Sequence, residues 1–166
     1  MTGLIQRNLD VIDQGAALLE RLRHAGERAC IGEVGPHFRH CIDFYDCFLA
    51  GVEPRRIDYD ARDRSAAVES APEPALAALH RIRDRLDELG EEDGELRVRA
   101  DVVTEQGAWT RSTVNRELLF LLSHTLHHYA LIALLLRQGG IDVPTTDFGF
   151  APSTLEHQKR QTECAP

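Results

Sequence analysis

The sequence predicts an all-α protein: a four-helix bundle with a small β-hairpin before the last helix and an irregular C-terminal tail. Three observations support this. Apolar residues recur at helical spacing in four segments, the spacing changes to two in one short segment, and glycine or proline follows the helical patterns. The chain has 166 residues, which is enough for a core of its own. Residues 1–166 are therefore expected to form a single domain.

Several local signals set the bounds of the predicted helices. Gly35 and Pro36 are interpreted as a turn followed by a proline in the first turn of the second helix. Ser112 and Thr113 offer side-chain oxygens that can cap the last helix. The four helices are predicted at residues 4–23, 36–50, 73–89 and 115–138.

The remaining segments depart from helical spacing. Residues 52–74 are rich in charge and proline and predict a long surface connection, with room for a short helix, over one end of the bundle. Between residues 95 and 112 apolar and polar residues alternate, which predicts two short strands joined by a turn at 105–107. The tail after the last helix is expected to be irregular and to pack across the bundle through Phe148 and Phe150.

Composition and charge limit the binding partners and the cellular compartment that we expect for this protein. The net charge of −8 opposes binding to phosphates, so nucleic acid is not expected as a partner. We find no apolar run of transmembrane length and no basic segment followed by an apolar one at the start, so we expect no membrane partner and a cytoplasmic location. The cysteines lack CxxC spacing and are interpreted as reduced thiols. They are Cys30, Cys41, Cys47 and Cys164, and Cys41 and Cys47 are expected to pack as small buried residues.

Three histidines lie in the apolar middle of the last predicted helix. His124 and His128 are four residues apart, so they share one helix face and their ring nitrogens can converge on one ion. His127 is turned about 100° from His128 and should not share that ion. Glu117 lies on the His124 stripe, where it can accept a hydrogen bond from a ligand or simply favour the helix dipole. Without a metal, the histidines would be packing or solvated residues.

The second predicted helix is the natural source of a third ligand. His37, His40, Phe44 and Cys47 follow one inward stripe. One imidazole from this stripe and two from the last helix would form a three-nitrogen site with positions left for water or substrate. This is the coordination pattern of a catalytic metal rather than a closed structural one. Ligation by Cys41 fits less well, because it lies about 100° around the helix from His40.

Two motifs resemble those of the DinB family. The segment GPHFRHCIDFY at 35–45 resembles the family's second helix, in which a histidine, here His40, is followed three residues later by an aspartate, here Asp43. The segment SHTLHHYALI at 123–132 resembles its final pair of histidines at i and i+4. The order of the predicted elements matches over most of the chain.

The resemblance carries implications for the site and the assembly. It implies that His40, His124 and His128 bind a divalent ion such as Ni²⁺, Zn²⁺ or Fe²⁺. It also implies an up-down-down-up four-helix bundle that forms a homodimer. His37 and His127 match neighbouring histidines that are common in the family but are not the ligands.

Two classes of function follow from these observations. The first is a metal-dependent enzyme, a transferase or hydrolase acting on a small molecule. Characterised members of the resembled family include transferases and isomerases that use low-molecular-weight thiols, so such a thiol is a candidate cofactor. The second is a non-catalytic dimeric bundle or binding module, in which the histidines hold a structural ion or hydrogen-bond the helices together. The FGFAPSTLEH tail resembles that of a subgroup of the family and has no assigned role.

Overall fold

The computed structural model describes residues 2–26, 28–90, 93–100, 108–143, 147–151, 154, 155, 157 and 160. Within these ranges the chain is mostly helical, with five helices and one small three-stranded sheet. In chain order the elements are α1 (Thr2–Ala25), α2 (Arg28–Gly51), β1 (Arg56–Asp58), α3 (Ala66–Ser70), α4 (Pro72–Asp87), β2 (Glu95–Arg99), β3 (Thr110–Thr113) and α5 (Val114–Gln138).

The four long helices enclose the apolar core. Both α1 and α2 pack against α4 and against α5. The apolar residues that predicted these helices are the ones that become buried, and Leu18, Phe38, Ile82 and Leu121 are almost fully enclosed. Burial of each such side chain contributes roughly 1.5–3 kcal/mol to folding. The predictions for α1, α4 and α5 are confirmed to within a few residues at each end.

The predicted start of α2 is wrong. The helix begins well before Pro36 and continues through it. Ile31 and Val34 are buried in the core, so the apolar stripe extends to both sides of Pro36, and their burial offsets the backbone hydrogen bond that proline cannot donate. Gly35 does not form a turn. A β-carbon there would collide with the backbone carbonyl of Glu69, so glycine allows α3 to approach closely.

The predicted hairpin is part of a three-stranded sheet. β2 pairs antiparallel with β3 as predicted, but β1 adds a parallel strand on the other side of β2. β1 comes from the segment that was predicted to be an irregular connection. It has only three residues, too few for an alternating pattern, and it is held by the complete burial of Ile57. The turn predicted at 105–107 lies outside the described residues.

The ends of α5 follow the sequence prediction. The side chain of Thr113 caps the helix by accepting a hydrogen bond of 3.3 Å from the backbone N–H of Arg116. The helix ends at Gly139, and Gly140 adopts a positive φ of 76°. In the tail, Phe148 is buried and its ring stacks on the ring of Tyr129 at a centroid distance of 4.8 Å.

The expectation that the chain has no apolar run of transmembrane length is wrong, because by length and composition alone α5 could cross a membrane. The core helix of a globular protein meets the same criterion. In this fold α5 packs against both α1 and α2, and residues such as Leu118 and Ile132 are buried in the core. The apolar character of α5 is therefore explained by its position among the other helices.

Candidate metal centre

The packing of α2 against α5 brings three of the predicted histidines together. His40 lies on α2, whereas His124 and His128 lie one turn apart on α5. Each offers a ring nitrogen, and these three atoms all lie within 4.8 Å of one another. The ring centroids are 4.7–5.0 Å apart. This group could hold a metal ion.

Each histidine of the triad is positioned by a core residue that follows it in the sequence. Adjacent residues of a helix point about 100° apart, so the core residue fixes the rotation of the helix and the histidine lies at the edge of the core. The three imidazoles are accordingly half-buried, whereas their neighbours are buried. These neighbours are Cys41, Thr125 and Tyr129.

One atom of the triad is left without a protein partner. Nε2 of His124 is buried and makes no hydrogen bond. A buried polar atom of this kind is destabilising unless something binds it. An imidazole-bound divalent ion lies about 2.0–2.1 Å from each nitrogen, so small ring rotations would bring all three nitrogens to one ion. The donor set and the unpaired nitrogen both fit a divalent metal.

The triad is neutral at physiological pH. Burial is the main cause that lowers the pKa of His40, His124 and His128 to about 4, and the neighbouring imidazoles lower it further. The charge of Arg62 adds to this effect at His40 and His124. A neutral imidazole keeps a lone pair on one nitrogen, which is the form that binds metal ions.

His37 has a role that sequence reasoning missed. Its Nδ1 lies 2.9 Å from Nδ1 of His128, within hydrogen-bonding distance. If Nδ1 of His128 donates this bond, the lone pair of His128 is on Nε2 and is available to an ion. The sequence placed His37 on the correct stripe but could not show this pairing. His127 is exposed and lies outside the triad, as predicted.

Of the two interpretations of Glu117, the structure contradicts a hydrogen bond from a metal ligand and agrees with a carboxylate in the first turn of α5. Glu117 is buried, and its carboxylate accepts from the hydroxyl of Tyr59 at 2.8 Å, from the hydroxyl of Ser112 and from the guanidinium of Arg116 at 3.1 Å. These donors come from outside the triad, and no hydrogen bond joins Glu117 to a described histidine. Its role is to tie β3 and the residue after β1 to the first turn of α5.

Aromatic side chains form one wall of the site. The ring of Phe44 lies 4.9 Å from that of His40 and 4.7 Å from that of His124. Phe120 lies 5.3 Å from His124, and Tyr59 stacks on Phe44 at 5.1 Å. This wall limits water on one side of the imidazoles and strengthens electrostatic interactions there. Tyr59 was not predicted as a site residue because it follows a strand that the sequence did not reveal.

Cys41 and Cys47 of α2 do not join the triad. Cys41 is buried and Cys47 is half-buried, and both are free thiols. Burial raises the pKa of each well above its ordinary value, so neither is a thiolate at neutral pH. Cys47 lines a pocket of about 320 Å³ together with Asp43, Asp46 and Asp58. The triad does not line this pocket.

The fold and the triad thus define a mainly helical protein with a histidine site suited to a divalent ion. A model of the DinB family matches residues 23–161, which is most of the chain. The chain belongs to the DinB family.

One curated relative and the solved structures complete the comparison. The chain is 31% identical over 109 residues to "FK506-binding protein 5" of Rhizopus delemar. The match covers 63% of this chain but 28% of the relative, so the chain spans less than a third of that protein's length. No solved structure matches the chain.

Proposed function

We propose that this protein is a metal-dependent enzyme in which His40, His124 and His128 bind one divalent ion, Ni²⁺, Zn²⁺ or Fe²⁺. The observations that support this most directly are the convergence of three neutral imidazoles, each with a ring nitrogen within 4.8 Å of the others, and the buried Nε2 of His124 that has no partner. Three ligands leave coordination positions for water, substrate or a thiol.

The proposed reaction is transfer to or from a low-molecular-weight thiol, or hydrolysis, with a small molecule as substrate. A bound ion would supply a positive charge that lowers the pKa of a coordinated water or thiol. The residues of this chain prepare the site. His37 orients His128 through their hydrogen bond, and Phe44 and Phe120 exclude water from one side of the imidazoles.

Metal analysis of protein purified without a histidine tag tests the proposal. We expect about one divalent ion per chain, because a set of three imidazoles holds one ion. His124→Ala should abolish this content, because it removes a ligand. His80→Ala is the matched control, since His80 is exposed on α4 and should leave the content unchanged. Full metal content in His124→Ala would refute the site.

A second function is favoured by the bond between His37 and His128. This bond joins α2 to α5 directly, as expected if the histidines serve to hold the helices together in a non-catalytic binding module. In the enzyme the bound ion keeps an open coordination position, whereas a structural ion in the binding module has none. We expect azide to shift the visible spectrum of the cobalt-loaded protein if a position is open. A spectrum that azide does not change would favour the structural role.

We further propose that the four long helices form the up-down-down-up bundle of the DinB family and that two chains form a homodimer. The packing of α1 and α2 on both α4 and α5 supports the bundle. Leu119 and Leu134 are 55% and 51% exposed on α5, about four turns apart on one face, which supports an interface there. Light scattering should give twice the chain mass, and Leu134→Glu should reduce it to that of one chain.

A further inference from the structure

Arg62 borders the triad and approaches it from the segment that follows β1. Its guanidinium carbon lies 4.9 Å from the centroid of the Phe44 ring. The same ring lies 4.9 Å from the ring of His40 and 4.7 Å from that of His124. One aromatic side chain therefore contacts both the guanidinium and two of the three imidazoles. This brings a permanent positive charge close to the candidate metal centre.

The charge of Arg62 has no partner in the described part of the chain. Its Nε is buried without a hydrogen bond, and the side chain forms no ion pair. Other arginines in this region are paired: Arg39 bonds Asp43 at 3.0 Å and also Glu69, and Arg99 bonds Asp58. Asp43 feels the charge of Arg62, but its carboxylate is already held by Arg39. A buried, unpaired guanidinium N–H is destabilising unless a water, an ion or a ligand binds it.

The positive charge of Arg62 also disfavours a divalent ion at the triad unless an anion lies between them. Like charges that lie close together in a partly buried site repel each other, so a guanidinium beside a divalent ion weakens metal binding. An anion between them would interact favourably with both. A guanidinium presents parallel N–H donors that match the two oxygens of a carboxylate.

We propose that Arg62 binds an anionic group, a carboxylate or similar oxyanion, of the small molecule that reaches the metal. This inference rests on the proposed metal site. It assigns the substrate class as a small organic anion and makes Arg62 a residue that determines specificity. The anionic group is held on the Phe44 side of the triad, while another part of the same molecule occupies the open coordination position.

Two thiols that differ in charge test the inference. Mercaptoacetate and 2-mercaptoethanol both carry a thiol that can bind cobalt, but only mercaptoacetate carries a carboxylate. Each is titrated into the cobalt-loaded protein, and the thiolate-to-cobalt charge-transfer band gives its dissociation constant. Wild type should bind mercaptoacetate more tightly. Because the carboxylate can also chelate cobalt, the decisive quantity is the change in this preference when Arg62 is replaced.

Three variants separate the contribution of Arg62 from other effects. Arg62→Met should weaken mercaptoacetate binding roughly tenfold or more, the size expected for a charge-assisted pair, and should leave 2-mercaptoethanol binding unchanged. Cobalt should bind at least as tightly as in wild type, because the variant lacks the positive charge beside the ion. Arg62→Lys keeps the positive charge but loses the paired N–H donors, so it should retain only part of the preference. Arg111→Met removes an exposed charge from β3 and should behave as wild type.

The outcomes distinguish the inference from the proposed function. An unchanged preference in Arg62→Met, or equal dissociation constants in wild type, would overturn the role of Arg62 alone. The absence of a band with either thiol on fully loaded protein would overturn the open coordination position of the proposed function, and the inference would fall with it. Failure of the wild type to load cobalt would instead overturn the metal site, and the inference would fall with it.

Discussion

Two polar clusters lie along the same face of α5, and they differ in how their polar atoms are satisfied. At the first turn, the carboxylate of Glu117 is enclosed and accepts hydrogen bonds from Tyr59, Ser112 and Arg116. Two turns later, the imidazoles of His124 and His128 meet His40, and Nε2 of His124 has no partner. Glu117 and His124 are seven residues apart on one stripe of α5, but the protein supplies hydrogen-bond partners to the first and none to Nε2 of the second.

The difference separates a structural cluster from a binding one. Buried polar groups in folded proteins are almost always hydrogen-bonded, so a cluster completed by the protein itself needs nothing else. Glu117 and its three donors meet this condition. The triad does not, because Nε2 of His124 is buried and no group of the described protein hydrogen-bonds to it. We infer that the Glu117 cluster stabilises the fold and that the triad is completed by a ligand.

The largest expected effect concerns stability in the metal-free protein. Glu117→Ala leaves the buried hydroxyl of Tyr59 and the half-buried hydroxyl of Ser112 without their acceptor. A buried group left unpaired costs about 1–3 kcal/mol, so we expect the free energy of unfolding to fall by about 3 kcal/mol. His124→Ala removes an unpaired, half-buried ring and should change the free energy of unfolding by less than about 1 kcal/mol. Urea titration measures both.

The controls for this pair are direct. Glu53→Ala removes an exposed carboxylate and should stay within about 0.5 kcal/mol of wild type. Glu117→Ala that remains folded should also keep its metal affinity. If metal-free His124→Ala proves less stable than Glu117→Ala, the result contradicts the assignment of the Glu117 cluster to fold stability and of the triad to ligand binding.

The second largest expected effect is a loss of metal affinity, and it tests whether His37 orients His128. His37→Ala removes the hydrogen bond to His128 and should lower metal affinity about tenfold, the lower end of the range for groups that orient a ligand. His127→Ala is the matched control, because His127 lies on α5 beside His128 but is exposed, and its affinity should stay within about twofold of wild type. Competition with a chromophoric chelator measures both. Equal losses would mean that the hydrogen bond does not orient His128.

The smallest effect is the pH dependence of the metal-free protein. Burial lowers the pKa of His40, His124 and His128 from 6.5 to about 4, so between these values the unfolded chain binds more protons than the folded one. The free energy of unfolding should therefore be constant above about pH 6.5 and fall as the pH drops towards 4. Solvent around the half-buried rings reduces the size of this effect.

Urea titrations at about pH 7 and about pH 5 measure this dependence. His124→Ala has one fewer shifted histidine, so its stability should fall less than that of wild type over the same interval. A wild-type stability that rises on acidification would contradict the neutral triad.

Sequence periodicity was sufficient for most of each long helix and for the pair His124 and His128, because both depend on which residues share a helix face. The choice of His40 rather than His37 as the third ligand came from the resemblance to the DinB family. His124 and His128 are one turn apart whatever the tertiary structure, and the stripe that contains His40 had to face the core. The start of α2 was not predictable from Gly35 and Pro36, because the burial of the residues before them outweighs the local signal.

Contacts between distant segments could not be predicted in this way. The hydrogen bond between His37 and His128 depends on ring rotations in two helices, and the pairing of Glu117 with Tyr59 depends on the short strand β1. Arg62 lies in the same segment, which the sequence showed only as a charged connection. These features require the packed structure.

Anomalous diffraction from a crystal of untagged protein, collected at the nickel, zinc and iron edges, tests the central claim most directly. The account predicts one anomalous peak between the rings of His40, His124 and His128, with a coordination position that no protein atom fills. An anomalous peak at another site, or electron density in which the three imidazoles enclose no ion in protein supplied with metal, would contradict it.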